Sequence, residues 1–399
     1  MPSLPNSFRN DCEDDAVVCL KYVLLMVDVV VTGIGLWTAL GTTVQTTWSN
    51  LLAGKCAIAL RQPFLSLPAM PLAMVGKVPA DPEDLVIATV KAAMADAGLA
   101  PPLADGGLVV GSSRSYLNRW EEAMAMGAPG DWLAALPCGL SSRVAQLVGT
   151  QGPVLAPMAA CATGLWALFQ GYMLLQTGQC DRVVVAAVDA PVTPLTLTGF
   201  RRMGAMAKDG CYPFDCDRNG LVLGEGAAAV VLEAKETAQK TPYGQVLGFG
   251  LSNDASHISS PRRDGALAVA RQCLRRSGLQ PDEIDYIHTH GTGTRLNDAN
   301  EAHMIQQLFP RANVSSTKGA TGHTLGAAGL IGTVFSLLSL QQQRLPPCVG
   351  LQQPEFDLNF VSGGPRGDAP ITHVLCSSFG FGGQNAIVAL RRYQARALN

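Results

Sequence analysis

The sequence predicts an α/β protein made of two similar halves, and three observations carry that prediction. Apolar strand patterns alternate with helical patterns from residue 29 to residue 390. The order "apolar Gly/Ala helix, strand, glycine-rich turn, strand" occurs twice, with Gly224-Glu225-Gly226 and the strand after it answering Gly380-Phe381-Gly382-Gly383 and the strand after that. The chain has 399 residues, 48% hydrophobic and 15% charged, enough for two such units with a site between the copies.

The elements follow in order. Residues 1–25 read as an extension: Pro2, Pro5 and Cys12-Glu13-Asp14-Asp15 give no helix, and 16–26 is too short and Lys-interrupted for an export signal. A fresh strand begins just after Met26, so Met26 is expected to be the biological start, followed by an N-terminal half over 26–240 and a C-terminal half over 241–399. In the first half, 29–34 reads as a buried strand, 43–52 as a helix, 84–97 as a helix closed by Gly98, and 108–111 as a strand. A long apolar helix follows Cys161; 182–189 is a strand buried on both faces, and 227–232 another strand. Residues 200–214, with Arg201, Arg202, Lys208 and Cys211, read as a surface loop or cap. After the polar connection 235–241 the plan restarts, with strands at 246–252, 284–289, 314–316, 374–378 and 385–390 and helices at 265–277, 297–308 and 324–341.

Composition excludes several functions. A net charge of −2 with scattered Lys and Arg offers no footprint for nucleic acid. The eleven cysteines form no C-x-x-C pair, and the odd number without an evident signal peptide points to a reducing cytoplasm. The uncharged stretches 152–180 and 319–343 are broken by Thr, Gln, Gly and His, and are expected to be buried helices, not membrane spans.

Four clusters carry chemistry. Cys161, in Ala159-Ala160-Cys161-Ala162-Thr163-Gly164, stands where a long helix begins; unpaired N–H groups and the positive helix end there favour a thiolate, and small neighbours leave room for a bulky group. Read alone, it is more readily one of the many small buried cysteines, and the downstream motifs decide otherwise. His288-Thr289-His290-Gly291-Thr292-Gly293-Thr294 ends a strand, and strand alternation places His288 and His290 on one face. No third ligand follows at metal spacing, so a histidine facing a pocket is the expected reading and a metal is not. Lys318 and His323 lie in a loop leading into a helix of small residues, and Phe379-Gly380-Phe381-Gly382-Gly383 is a turn able to bring a backbone N–H to a ligand.

Together these motifs closely resemble those of the β-ketoacyl-[acyl-carrier-protein] synthases, condensing enzymes of the thiolase superfamily. Ala160-Cys161-Ala162-Thr163-Gly164 is similar to the nucleophile motif, 289–294 to the first histidine motif, 318–329 to the lysine and second-histidine motif, and 379–383 to the C-terminal glycine turn. The resemblance implies a thiolase-like fold, with the two halves in an α-β-α-β-α layered arrangement. It implies Cys161 as the acyl-bearing nucleophile, the Cys161 and Phe381 amides as an oxyanion hole, and His290 with His323 as the pair assisting decarboxylation of a malonyl group. Lys318 would be a fixed positive charge partnered by Glu301, with Asp298 also supporting; Phe379, Phe381 and Leu221 would shape or gate the acyl pocket. No metal or redox cofactor is implied. The partners implied are an acyl carrier protein and a second subunit, usually a homodimer, to which the uncharged strand 183–188 would continue the sheet.

This sequence departs from the pattern in places. Leu221 stands where many members have phenylalanine, 62–84 is shorter than usual over the acyl channel, and Gly319-Ala320 follows the lysine. These differences favour a specialised synthase of a polyketide or unusual lipid pathway. The alternative is a non-catalytic chain-length-factor-type subunit of a heterodimer, against which Cys161, His290, Lys318 and His323 speak. A thiolase would carry a second cysteine near Phe381.

Overall fold

Two sets of five strands with the same order and the same pairing form the body of an eleven-stranded sheet, beside a separate two-stranded pair, in a computed structural model that describes residues 27–394 apart from 128–131, 134 and 259–261. The first half contains β1 (Val29–Thr38), α1 (Val44–Leu52), β2 (Ala59–Arg61), β3 (Met70–Leu72), α2 (Pro82–Asp96) and β4 (Gly107–Gly111). It continues through α3 (Leu117–Met126), α4 (Gly139–Val148), β5 (Val154–Leu155), α5 (Thr163–Gln176), β6 (Arg182–Asp189), α6 (Pro194–Arg202) and β7 (Gly226–Ala234). The second half contains β8 (Gly244–Asn253), α7 (Arg263–Ser277), β9 (Tyr286–His288), α8 (Arg295–Leu308) and β10 (Asn313–Ser315). It ends with α9 (Lys318–Thr321), α10 (Ala328–Gln342), β11 (Asn359–Phe360), β12 (His373–Gly380) and β13 (Gln384–Arg391). The extension 1–25 and the expected start at Met26 lie outside the described residues.

The strands run β11-β10-β9-β12-β13-β8-β1-β7-β6-β4-β5. From the centre outward, β1 pairs antiparallel with β7, β7 antiparallel with β6, β6 parallel with β4, and β4 parallel with β5. In the other direction β8, β13, β12, β9 and β10 repeat those relations one for one. The halves join where Val29, Val30 and Val31 of β1 meet Val246, Gln245 and Gly244 of β8. Helix packing repeats as well. A Cβ on Gly35 of β1 would lie 2.1 Å from the Thr89 carbonyl oxygen in α2, and one on Gly250 of β8 would lie 2.0 Å from that of Val269 in α7. In each half a glycine on the inner strand lets a helix backbone rest directly on the sheet. The duplication expected from two glycine turns therefore extends to five strands in each half of the sheet and to their outer helices.

Helices α5 and α10 pack together between the halves, sharing one core with inward-facing residues such as Val185, Leu232, Val374 and Val388. Outer helices α2 and α4 cover the first half through Leu85, Val90 and Val144; α7 and α8 cover the second through Val269 and Ile305. This is the expected α-β-α-β-α layering. Helix α10 is buried along nearly its whole length and α5 along most of it, and neither carries a charge. The Thr333, Ser336 and Ser339 hydroxyls of α10 donate to carbonyl oxygens one turn back, at 2.8–2.9 Å, and so need no other partner. Among the described residues, 325–342 is the one helical stretch long and apolar enough to cross a membrane, and it lies between these layers.

Two expectations are corrected. The strand 183–188 lies within β6, which is paired on both sides by β7 and β4, so it cannot extend across subunits; the free edges are β5 and β11. Residues 200–214 are not simply a surface loop. They begin in α6, which Thr193 caps through its hydroxyl, and Phe200, Cys211 and Phe214 are buried.

Candidate active site

The backbone turn carrying Cys161 is held before any ligand arrives. Ala160 has φ +46°, a left-handed value that an alanine adopts only where neighbours enforce it. Thr163, the first residue of α5, does so: its hydroxyl donates to the Ala160 carbonyl at 2.6 Å and accepts from the Ala159 N–H at 2.8 Å. From the other half, Ser378 donates to the Cys161 carbonyl at 2.8 Å. Gly380 lies so close that a Cβ there would come within 2.9 Å of the Ala159 carbonyl oxygen and 3.1 Å of the Cys161 nitrogen. The same turn directs the Phe381 N–H at the cysteine sulfur. The Cys161 thiol therefore sits at the seam between the halves, as the repeat predicts.

His290 follows the end of β9, and its backbone is gripped by one carboxylate. Glu301 of α8 accepts the His290 N–H at 2.8 Å, the Gly291 N–H at 2.7 Å and the Ser377 hydroxyl at 2.6 Å. Lys318, buried at the start of α9, donates its ammonium to the His290 carbonyl. His323 is fixed by its backbone: its N–H donates to Val222 at 2.6 Å and its carbonyl accepts from Gly224 at 3.0 Å. The two rings meet edge to face at 5.2 Å, and Phe379 stands edge-on to His290 at 6.0 Å. The Cys161 sulfur and one nitrogen from each imidazole all lie within 4.8 Å of one another. The structure thus brings together Cys161, His290, His323, Lys318, Phe379 and Phe381.

Asp298 and Glu301 are both fully buried but do not form the ion pair expected for Lys318. No ion pair within 4 Å joins Glu301 to Lys318; the two act on the same peptide segment, one on its N–H groups and the other on its carbonyl. Asp298 holds the following turn, accepting from Thr292 at 3.0 Å, Gly293 at 3.1 Å and Phe214 at 2.9 Å. Strand alternation also misplaces His288. It turns away from His290, toward Thr317, Cys376 and Phe335 in the core, because β9 ends at His288 and the chain bends at Gly291.

Electrostatics overturn one further expectation. Burial pushes the Cys161 thiol up to about 11, while the charges of Lys318 and Arg114 and the Phe381 N–H pull it down. Exclusion from water outweighs those groups, so the resting sulfur is a thiol and not a thiolate. Burial, then the Lys318 charge, hold His290 and His323 well below the usual imidazole range; both rings are neutral at physiological pH. Burial lowers Lys318 as well, with Glu301 opposing.

A cavity of about 440 Å³ opens from Cys161 between the two histidines and is walled by Phe200, Leu221, Phe379 and Phe381. Leu221 is buried there, and the short segment expected to be a reduced cap contributes Met70, Leu72 and Met74 to the same apolar cluster as Cys161. Residues 289–294 continue the wall through Thr292 and Thr294 toward the outside. Among the described residues, two groups are close enough to hold a metal ion: the Cys161–His290–His323 set and Asp215–Cys216–Asp217. In the second, Asp215 is already engaged by the backbone N–H groups of Asp217, Gln352 and Gln353.

Residues 80–238 match the family model of the β-ketoacyl synthase N-terminal domain, and residues 243–352 that of the β-ketoacyl synthase C-terminal domain. The chain belongs to the β-ketoacyl synthase family. It is 32% identical over 425 residues to the mitochondrial 3-oxoacyl-[acyl-carrier-protein] synthase of Arabidopsis thaliana, covering 90% of this chain and 92% of that one. It is 33% identical over 276 residues to 3-oxoacyl-[acyl-carrier-protein] synthase 2 of Staphylococcus aureus (strain COL), covering 65% of this chain and 66% of that one. Among solved structures it superimposes on the ishigamide ketosynthase/chain length factor with a TM-score of 0.85 at 28% identity, covering 93% and 100% of the two chains. A β-ketoacyl synthase from Burkholderia phymatum STM815 gives 0.84 at 25% identity, covering 92% and 100%. The chain is thus a condensing enzyme of the acyltransferase type with a thiolase-like fold.

Sequence reasoning missed several residues that build this synthase site. Asp189 ends the apolar strand β6 and ties β4 to the segment before α10; Ser377 and Ser378 fasten Glu301 and Cys161. A lone aspartate closing a run of valines and alanines was the available signal for the first. Phe200 had none, because its wall position depends on α6.

Proposed function

We propose that this protein forms a carbon–carbon bond between an acyl group held on Cys161 and a malonyl group delivered by an acyl carrier protein, releasing CO2 and a 3-oxoacyl thioester. The single observation that carries this reading is the convergence of one sulfur, two neutral imidazoles and an aimed backbone N–H on one cavity. The Cys161 sulfur attacks the incoming thioester; the carrier's thiol leaves and takes the proton that Cys161 gives up. The tetrahedral oxygen formed in that step is met by the Cys161 and Phe381 amides. The malonyl carboxylate then departs as CO2, and the electron pair of the broken bond becomes an enolate. Neutral His290 and His323 each offer an N–H to its oxygen, a role that imidazoles kept neutral by burial and by Lys318 are suited to. The enolate carbon attacks the acyl carbonyl, and the Cys161 sulfur leaves as a thiolate that takes a proton from water in the open cavity and returns to the thiol.

Lys318 and Glu301 serve as positioning residues, fixing the His290–Gly291 segment from its two sides. The free edge at β5, with Val154 and Met158 exposed beside it, supports a dimer formed along that edge, either of two copies or with a second ketosynthase-type chain. The free cysteines support work in a reducing cytoplasm. The experiment offers acyl carrier proteins of several chain lengths and reads the adduct on Cys161 by intact mass. Malonyl carrier protein is then expected to discharge it as a 3-oxoacyl product. Cys161→Ala is expected to abolish loading, while His323→Ala loads but condenses about a hundredfold more slowly. Normal condensation by both variants overturns the assignment.

A further inference from the structure

The loop between β4 and α3 is tied down at every residue, yet its one charged side chain is left over. Asp189, buried at the end of β6, accepts the Ser112 hydroxyl at 2.7 Å, the Ser113 hydroxyl at 2.5 Å and the Arg114 N–H at 3.0 Å. Its second oxygen also takes the Gly326 N–H at 2.6 Å. These bonds fix the backbone from which the Arg114 side chain departs. Apart from its contact with one aromatic ring, the guanidinium has no partner in the described fold. Among the described residues it forms no ion pair and donates no hydrogen bond, and its Nε is buried without a partner. Its Cζ lies 5.7 Å from the centroid of the Phe200 ring. Phe200 in turn stacks on Phe381 at 5.9 Å and 22°, and both rings line the cavity that starts at Cys161.

A cation half-buried behind an aromatic wall is costly unless a counter-charge meets it. A planar guanidinium with its donors free is the side chain best matched to a carboxylate. We propose that Arg114 selects the far end of the acyl group carried on Cys161, and that this end is a carboxylate: the preferred substrate is an ω-carboxyacyl thioester, not a plain alkyl one. The inference rests on the proposed function, since the thioester end is placed at Cys161 and the Phe381 amide. The methylene chain runs along Leu221 and Phe200, the Phe200–Phe381 stack parts as the chain enters, and the carboxylate pairs with Arg114. A methyl terminus in the same place would leave the guanidinium stripped of water and unpaired, and so binds less well.

The test compares two pantetheine thioesters of equal length, hexanoyl and 5-carboxypentanoyl, for their rates of loading onto the intact protein, read by mass at Cys161. The wild type is expected to load the carboxylated group about tenfold faster. In Arg114→Leu that preference is lost or reversed, with hexanoyl loading at least as fast relative to the carboxylated group, and Arg114→Lys recovers part of it. Because the same sulfur attacks both thioesters, the ratio of rates is insensitive to any general effect of the charge on the thiol. A wild type that loads hexanoyl well and the carboxylated group poorly overturns this inference alone. So does an Arg114→Leu protein slowed equally for both groups, or one whose oligomeric mass changes while the ratio does not, since the guanidinium then serves another copy of the chain. If neither group loads while iodoacetamide still modifies Cys161, the proposed function falls and takes this inference with it.

Discussion

Cys161 with His290 and His323 on one side, and Cys376 with His288 on the other, are two sulfur–imidazole groupings set around the same lysine. In the second, the Cys376 sulfur lies 3.9 Å from His288 Nδ1, burial pushes the thiol up to about 12, and burial with the Lys318 charge takes the imidazole down to about 3. By composition and protonation state the two groupings are close to equal. They differ in what surrounds them. Cys376 and His288 are pressed between β12 and Gly332 of α10, where a Cβ on that glycine would come 2.7 Å from the imidazole and 3.0 Å from the sulfur. Cys161 instead faces an open cavity, on a strained turn, with a backbone N–H aimed at it. What makes a nucleophile here is access and prearranged donors, not the residue pair or a low resting pKa.

The largest test of that comparison is alkylation. With iodoacetamide in native buffer, Cys161 is expected to react about a hundredfold faster than Cys376, as read by peptide mass, and the two rates to converge in urea. Equal native rates would mean that access is not the difference. A second test sharpens it through pH. Since burial raises the Cys161 thiol, its thiolate fraction is small at pH 7 and grows with pH until about 11. The alkylation rate should therefore rise about tenfold per pH unit below that point and then level off. Lys318 favours the thiolate, so Lys318→Met is expected to move the levelling point to higher pH; an unchanged levelling point would show that the lysine charge does not reach the sulfur.

Much of this contrast was legible in the sequence, and the part that was not has physical causes. The interior of β6, 183–188, and the mostly buried helices α5 and α10 announce themselves as uncharged apolar runs, because little of their surface meets water. The repeat was visible in the glycine turns before β7 and β13. Cys161, His290, Lys318 and His323 could be named because each stands in a motif with fixed neighbours. The assignment of His288 and His290 to one face failed because alternation holds only while the strand lasts, and β9 ends at His288. The expected thiolate failed because a helix start was weighed without the loss of water around the sulfur. Asp189 and Arg114 were invisible because their roles depend on bonds across 75 residues and more.

The smallest expected effect separates the two groupings most cleanly. Gly332→Ala pushes a methyl group onto His288 and Cys376 and leaves the cavity untouched, so it is expected to cost about 1–3 kcal/mol of stability in urea unfolding. Gly199→Ala on α6 meets nothing within 4 Å and should stabilise by roughly 0.5–1 kcal/mol through helix propensity. Loading of Cys161 per folded molecule should be unchanged in Gly332→Ala. If loading fell with stability, the buried pair would be coupled through Lys318 to the working one, and His288 would have to be counted among the residues that position His290.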